Sequence, residues 1–377
     1  MRPRIAFIDH YYGEHIGGGE EYLLLAATGV RSRGFVPVVI CLLDSALARE
    51  ARARGLDVVE VPFFLPNLLA APGRLAAALE ELDPHIVNAH GYWSTLVARF
   101  ALRHVPRARM VATVHTEVLP EHERGVRKLI RSLRNTIDRA TSDAIRYVAV
   151  SKTIAAQLER IGIDRERIAV INPALPDKTM SSLVEIQHRE PRVDDGALVF
   201  GSAGRLVPVK GFDVLIRAFA DVRRVVGDVS LVIFGEGPER EKLRALAGEL
   251  GIADCVSFPG YKLREEIYRT IDVYVSASRT EGFPVALIEA SVAGLPVICT
   301  AAGGQTEIVA HEETGLVVPP EDASELARAM MRLALNGETR RRLGEAARAV
   351  ARDRFSEERF VEEHVQLFEE LAQTRSA

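Results

Sequence analysis

The strongest constraint on the fold is a strand–helix rhythm that runs along the chain twice, with one break. In the first run, the short apolar segments RIAFID, VPVVIC, DVVEV, HIVNA, RMVATV, IRYVAV and RIAVI alternate with longer amphipathic ones such as EEYLLLAATGVRSR and TIAAQLERIG. Strands that read as continuous apolar runs, each followed by a helix, belong in a parallel sheet covered by helices on both faces. The rhythm stops at residues 172–196, NPALPDKTMSSLVEIQHREPRVDDG, a stretch rich in proline and polar residues and without a clear period. It resumes with ALVFGSAG, VSLVIFG, CVSFPG, DVYVSAS, LPVICT and GLVVP, and the tail from about Ala323 is helical by period. At 377 residues the chain is too long for one ordinary core. The expected fold class is α/β, with two doubly wound domains facing a central cleft. The expected boundaries are a first domain over 1–172, a linker over 173–196 and a second domain over 197–354. A C-terminal helix over 355–377 is expected to pack back towards the first domain. In such sheets ligands bind beyond the carboxyl ends of the strands.

Bulk properties narrow the class of function. A net charge of −4 gives no electrostatic footprint for nucleic acid. Three well-separated cysteines, Cys41, Cys255 and Cys299, argue against a disulfide framework or a zinc site and fit a reducing compartment. The opening MRPRIAFIDHYYGEH reaches charged and turn residues too soon for a signal peptide, and no window approaches the ~20 apolar residues of a membrane span. A cytoplasmic protein is expected, with surface attachment to a membrane left open.

Several loops carry candidate chemistry. IGGGEEYLLL follows the first strand and opens a helix, where glycine lets backbone N–H groups approach a ligand and the helix start favours an anion. A plain strand–helix turn is the other reading, and Tyr22 stands where a dinucleotide fingerprint needs glycine. FGEGPER misses the same fingerprint, with Arg240 at the third glycine position. In GSAGRLVPVKGFDVLIRAF, Arg205 and Lys210 flank a loop between the end of a strand and the start of a helix. Two cations there suit a di-anion such as a diphosphate, although lone basic residues are commonly solvated surface. His90 and His115 end two strands of the first run, at neighbouring rims of the sheet. No Asp-x-Asp occurs in the chain, so a bound diphosphate relies on backbone amides, Arg205 and Lys210 for positive charge. Residues 121–140, EHERGVRKLIRSLRNTIDRA, have helical period, with Arg124, Arg127, Lys128, Arg131 and Arg134 around an apolar stripe. That pattern fits a surface helix with solvated arginines, and it also fits peripheral contact with an anionic membrane.

The segment RTEGFPVALIEA holds two carboxylates, Glu281 and Glu289. Glycosidase carboxylates face each other about 5–9.5 Å apart. Eight residues of continuous helix span roughly 12 Å, and Gly282 with Pro284 forbids a helix through the first half. A helix from about Pro284 to Ala293 leaves Glu281 in the preceding loop and Glu289 inside. Two grips along one elongated ligand, with a helix start between them for its phosphates, fit better than hydrolysis.

Taken in order, GGGE, SAGRLVPVKGFDVLIRAF, FGEGPERE, FPGY, SRTEGFPVALIEASVAGLPVICTAAGGQTEIV and TGLVVPPED resemble the retaining glycosyltransferases of family 4, which have the GT-B fold of two Rossmann-like domains. The likeness is dense from about Gly201 to Pro320 and looser before that. It implies a hexosyltransferase (EC 2.4) with no cofactor beyond its substrate, a nucleotide diphosphate sugar linked to UDP or GDP. It implies a hydroxyl acceptor in polysaccharide, glycolipid or natural-product synthesis, and no metal. Arg205 and Lys210 match the pair that grips the diphosphate. Glu289 matches the acid that binds the ribose, and Glu281 the acid at the donor sugar. Backbone amides around Phe283 and Pro284, and around Gly303, Gly304 and Gln305, are implied to hold the sugar. Gly18 and Gly19 match the N-terminal loop at the diphosphate or donor. His115 matches a histidine near the donor sugar, and His90 falls on the acceptor side. One departure stands out: Asn172-Pro173 replaces the family's usual Asn-Gly, which puts the geometry of that turn in question. A nucleotide-sugar epimerase on the same fold and a non-catalytic nucleotide-sugar-binding partner are the competing readings. Glu281, Arg205, Lys210 and Glu289 together weigh against both.

Overall fold

The structure is a computed structural model that describes residues 2–62, 70–118, 135–139, 144–186 and 198–373. The chain divides into two compact units, Met1–Ala174 with Glu357–Ala377, and Leu175–Ser356.

The first unit is built on a seven-stranded sheet. Its strands are β1 (Arg4–Ile8), β2 (Val36–Cys41), β3 (Asp57–Glu60), β4 (Ile86–His90), β5 (Arg109–Val114), β6 (Ile145–Ala149) and β7 (Ile168–Val170). They lie in the order β3-β2-β1-β4-β5-β6-β7, and every pairing is parallel. The central strands are buried on both faces, which is why they read as unbroken apolar runs. Chain order reverses between β1 and β4, so the loops after these two strands diverge and leave room for a ligand.

The helix Glu357–Gln373 belongs to this unit. Phe360, Val361, His364, Leu367 and Phe368 are buried, the i, i+4, i+7 stripe of an amphipathic helix. Phe360 meets Tyr22 edge-on with ring centroids 4.7 Å apart, and Phe368 meets Phe7 of β1 at 6.0 Å. Asn172 is tied in here too. Its side-chain amide donates to the Val150 carbonyl at 3.0 Å, and Arg359 donates to the Asn172 carbonyl at 3.0 Å.

The second unit carries a six-stranded sheet. Its strands are β8 (Leu198–Ala203), β9 (Val229–Phe234), β10 (Val256–Gly260), β11 (Val273–Ser276), β12 (Val297–Thr300) and β13 (Leu316–Val318). Their order is β10-β9-β8-β11-β12-β13, again all parallel, with the reversal between β8 and β11. The helices Phe212–Val226 and Ala323–Leu335 pack Leu215, Phe219, Leu326 and Met330 onto Phe200, Ile233 and Val275 of the sheet. Burying each such side chain stabilises by about 1.5–3 kcal/mol. The helix Asp177–Val184 lies in the stretch where the sequence shows no clear period. At eight residues it is too short to establish one.

Gly211 fixes the approach of two loops. It sits at φ +63, and a Cβ there would lie 2.0 Å from the Ala277 carbonyl oxygen. Only glycine lets the loop after β8 press against the loop after β11 at this point. No described helix is long and apolar enough to cross a membrane.

Candidate active site

In the second unit the reversal point between β8 and β11 gathers the residues that the sequence singles out. Lys210 ends a short 3-10 turn, Pro208–Lys210, in the loop after β8. Glu281 stands in the loop after β11, ahead of the helix Val285–Ala293. The Lys210 Nζ lies 2.5 Å from Glu281 Oε1, and the Ser278 hydroxyl donates to the same oxygen at 2.7 Å. Glu281 Oε1 thus takes both an ammonium and a hydroxyl, and the pair ties the loop after β8 to the loop after β11. Arg205, in the same loop as Lys210, is exposed, and among the described residues no hydrogen bond or ion pair holds its guanidinium. Its charge is available to a ligand.

Glu289 lies just over one turn into the helix Val285–Ala293 and is buried. The Tyr268 hydroxyl donates to its Oε2 at 2.8 Å, and the Arg264 Nε lies 3.4 Å from its Oε1. Burial, and then the neighbouring Glu289, push the Tyr268 phenol well above its ordinary pKa, so it stays a donor. A carboxylate offers about four lone-pair positions, so Glu289 can accept from several donors at once.

The glycine loop after β12 closes against the Glu281 loop. The Gly304 N–H donates to the Glu281 carbonyl at 3.3 Å, and the Gln305 N–H to the Ala302 carbonyl at 3.3 Å. The Gln305 side chain is fully buried and donates to Thr300 Oγ1 at 2.8 Å, while Thr300 donates in turn to the Ser278 carbonyl at 2.5 Å. Gln305 thus ties β12 to the loop carrying Ser278. Gly303 adopts φ +56 beside it. Phe283 is buried with its ring edge towards Phe355 at 5.8 Å, an anchor for the loop. Pro284 precedes the helix and has no N–H, so of that pair only Phe283 has an amide to offer.

The first unit holds a second cluster at the ends of β1, β4 and β5. Gly18 and Gly19 open the helix Gly18–Ser32, and an ideal Cβ on Gly19 would come 3.8 Å from the His115 ring. His90 Nδ1 and His115 Nε2 share a hydrogen bond of 3.0 Å, and the rings stack at 28° with centroids 5.2 Å apart. Such a bond needs one donor and one acceptor nitrogen, which suits two neutral rings. His115 is half-buried but densely surrounded; burial, and then His364, depress its pKa to about 4. Burial, and then His115 and His364, hold His90 well below the ordinary range. His90 is 1% exposed, and its Nδ1 meets His115 rather than open surface. His364 completes the cluster, with its ring 5.3 Å from Tyr22, whose own ring meets His115 at 5.1 Å.

Of the basic segment 121–140, Arg124, Arg127, Lys128, Arg131 and Arg134 lie outside the described residues. Among the described residues, no group of three or more His, Cys, Asp or Glu side chains is placed to hold a metal ion.

The chain is similar to known proteins along most of its length. The sequence profile described as Glycosyl transferases group 1 matches residues 184–350, and the one described as Glycosyltransferase Family 4 matches residues 16–177. The GDP-mannose-dependent alpha-(1-6)-phosphatidylinositol monomannoside mannosyltransferase of Mycobacterium tuberculosis (strain CDC 1551 / Oshkosh) is 33% identical over 378 aligned positions, 92% of this chain and 90% of that one. The chain belongs to glycosyltransferase family 4.

Two further proteins are similar at lower identity. The D-inositol 3-phosphate glycosyltransferase of Stackebrandtia nassauensis is 28% identical over 84% of this chain and 69% of its own. The crystal structure of Anabaena HepE in complex with UDP and glucose superposes with a TM-score of 0.82 at 21% identity, covering 99% of this chain and 100% of that one. That likeness shows the GT-B fold. Within this family 4 glycosyltransferase, the partners that sequence reasoning missed are Ser278, Arg264, Tyr268 and His364. Tyr268 had the one legible signal, an aromatic between charged residues in REEIYRT, but nothing in the sequence paired it with Glu289.

Proposed function

We propose that this glycosyltransferase is a retaining, metal-independent enzyme that moves a hexose from a nucleotide diphosphate sugar to an acceptor hydroxyl. The observation that carries the reading is the meeting of Lys210 and Glu281 at 2.5 Å at the β8/β11 reversal point, with Arg205 in the same loop. In this reading Arg205 and Lys210 hold the diphosphate. An ammonium has three N–H donors and Glu281 takes one, which leaves two for phosphate oxygens. Cations arranged beforehand stabilise the charge that develops as the diphosphate departs, and such preorganised charge does more than any other effect to lower the barrier in many enzymes.

Glu281 faces the donor sugar's hydroxyls, and Glu289, steadied by Tyr268 and Arg264, takes the ribose hydroxyls. The amides of Phe283 and Gly303 are the loop donors that remain for the sugar. For the first unit, the family resemblance supports roles for Gly18 and Gly19 at the donor, for His115 at the sugar and for His90 on the acceptor side. The bond from the anomeric carbon to the diphosphate oxygen breaks with its electron pair on the diphosphate. The acceptor oxygen bonds to the same face of the sugar, and its proton passes to a departing phosphate oxygen.

A GDP- or UDP-linked hexose is favoured, because the mycobacterial relative is named for GDP-mannose and HepE was solved with UDP. The acceptor belongs to polysaccharide, glycolipid or natural-product synthesis. The basic residues of segment 121–140 support contact with an anionic membrane surface, and neutralising Arg127, Lys128 and Arg131 is expected to weaken sedimentation with anionic vesicles. The functional reading is tested by proton NMR of the transfer product formed in chelator. An α-linked product from an α-linked donor is expected, and a β-linked product overturns the retaining assignment.

A further inference from the structure

Arg279 lies two residues before Glu281 and belongs to none of the ligand-facing groups above. Its guanidinium is nonetheless saturated. Nη1 and Nη2 donate to Asp213 Oδ1 and Oδ2, each at 2.8 Å, a bidentate fork on the first turn of the helix Phe212–Val226. Nη2 also reaches Glu321 Oε2 at 3.2 Å, Nε bonds Glu321 Oε1, and Nη1 bonds the Pro208 carbonyl. All five N–H donors of the side chain are therefore used. The backbone adds a further tie, since the Arg279 N–H donates to the Val209 carbonyl at 2.8 Å. Glu321, in the loop after β13, holds a left-handed φ of +62, which is uncommon for a residue with a side chain.

These contacts join three loops at the carboxyl edge of one sheet. The turn Pro208–Lys210 is gripped at both Pro208 and Val209, immediately before Lys210. Arg279 itself stands immediately before the segment that presents Glu281. The two gripped points lie one residue from Lys210 and two from Glu281, so fixing Arg279 fixes the backbone positions from which Lys210 and Glu281 reach each other. Burial alone would raise the Asp213 pKa, but the hydrogen bonds from Arg279 outweigh it and hold the carboxyl below its usual range. The fork thus persists at neutral pH.

We propose that Arg279 is a positioning residue for transfer. It clamps the Lys210 turn to the Glu281 loop through Asp213 and Glu321, so that Lys210 is placed for the diphosphate before donor arrives. This assignment rests on the reading of Lys210 as a diphosphate ligand. Lysine cannot replace the fork, because an ammonium has neither the planarity nor the five donors.

The test compares UDP and GDP with uridine and guanosine by calorimetric titration, in wild type, Arg279→Lys, Lys210→Ala and the double variant, with the melting temperature of each recorded. Arg279→Lys is expected to weaken binding of the preferred diphosphate about tenfold and to lower turnover about a hundredfold, the scale of a roughly 1 Å misplacement. Nucleoside affinity is expected to stay within about twofold, and in the Lys210→Ala background the loss of diphosphate affinity shrinks to less than about twofold, the non-additivity of residues acting as a unit. If Arg279→Lys does not fold, Glu321→Gln, which removes one carboxylate partner from an exposed position, is read the same way. Equal weakening of nucleoside and diphosphate, or a loss that persists without Lys210, overturns the positioning role alone. A wild-type enzyme that binds the diphosphate no better than the nucleoside overturns the reading of Lys210, and this inference with it.

Discussion

Lys210 and Glu281, 71 residues apart in the chain, meet at 2.5 Å because β8 and β11 are neighbours where the strand order of the second sheet reverses. The contact joins the cation suited to a departing diphosphate to the carboxylate suited to the sugar. Removing Lys210 therefore both withdraws positive charge and frees Glu281. Lys210→Ala is expected to lower turnover about 10²–10³-fold, the cost of losing one preorganised charge donor. Its melting temperature is expected to stay near wild type, because the pair is part-exposed. Turnover within a few-fold of wild type would remove Lys210 from the diphosphate role.

Under the proposed function, Glu289 serves binding rather than bond breaking. Glu289→Gln keeps the shape but alters the hydrogen bond with Tyr268 and removes the charge facing Arg264. Steady-state kinetics are expected to show the donor KM rising about tenfold or more, with kcat changed far less, the signature of lost uniform binding. Tyr268→Phe removes one buried hydrogen bond and is expected to produce a smaller shift in the same direction, worth about 1 kcal/mol. A fall in kcat without a rise in KM would place Glu289 in the chemical step instead.

Gly304 is a packing constraint. A Cβ there would sit 2.3 Å from the Gly282 carbonyl oxygen and 2.9 Å from Phe283 Cδ2. Gly304→Ala must therefore push the Glu281 loop away, at a cost of about 1–3 kcal/mol. Denaturant unfolding is expected to show that loss together with a raised donor KM. Unchanged stability would mean that the two loops are not in this contact.

The histidine cluster predicts a pH dependence of stability. Burial depresses His115 and His364 to about 4 in the folded chain, from an ordinary value of 6.5, and His90 moves in the same direction. Between pH 6.5 and about 4 the unfolded chain binds more protons, so stability is full above 6.5 and is lost as pH falls through that window. Asp9 opposes this: burial, and then Glu20, raise its carboxyl well above the usual range. The informative quantity is thus the difference between wild type and His364→Leu, in which the contribution of Asp9 cancels. The variant is expected to lose less stability than wild type between pH 7 and pH 5, by about 1–2 kcal/mol. Identical pH profiles would show that His364 is not buried neutral.

The strands were legible because parallel, doubly covered strands are written as apolar runs, from RIAFI in β1 to LVV in β13. Family membership was legible because glycines, acids and cations fall in one order and spacing. Pairing across the sheet was not. Lys210 and Glu281 come together only once β8 lies beside β11, and the strand order is a property of the fold. Arg279, Tyr268 and His364 are ordinary residues in their own segments, and each gains its meaning from a partner at least 21 residues away: Asp213, Glu289 or Tyr22. The missing N–H of Pro284 could be read from the sequence, and it limits the amides available to a sugar. The buried state of His90 could not, since a histidine that ends a strand looks the same whether its ring faces solvent or another ring.

Lys210 and its neighbours are expected to bind a nucleotide diphosphate sugar without a metal. Calorimetric titration of UDP-, GDP-, ADP- and TDP-hexoses in the presence of chelator tests it most directly, with wild type and Lys210→Ala side by side. At least one donor is expected to bind wild type with micromolar affinity, and Lys210→Ala is expected to bind it about tenfold or more weakly. Binding of no donor until a divalent metal is restored, or equal affinity in the two proteins, would contradict the account.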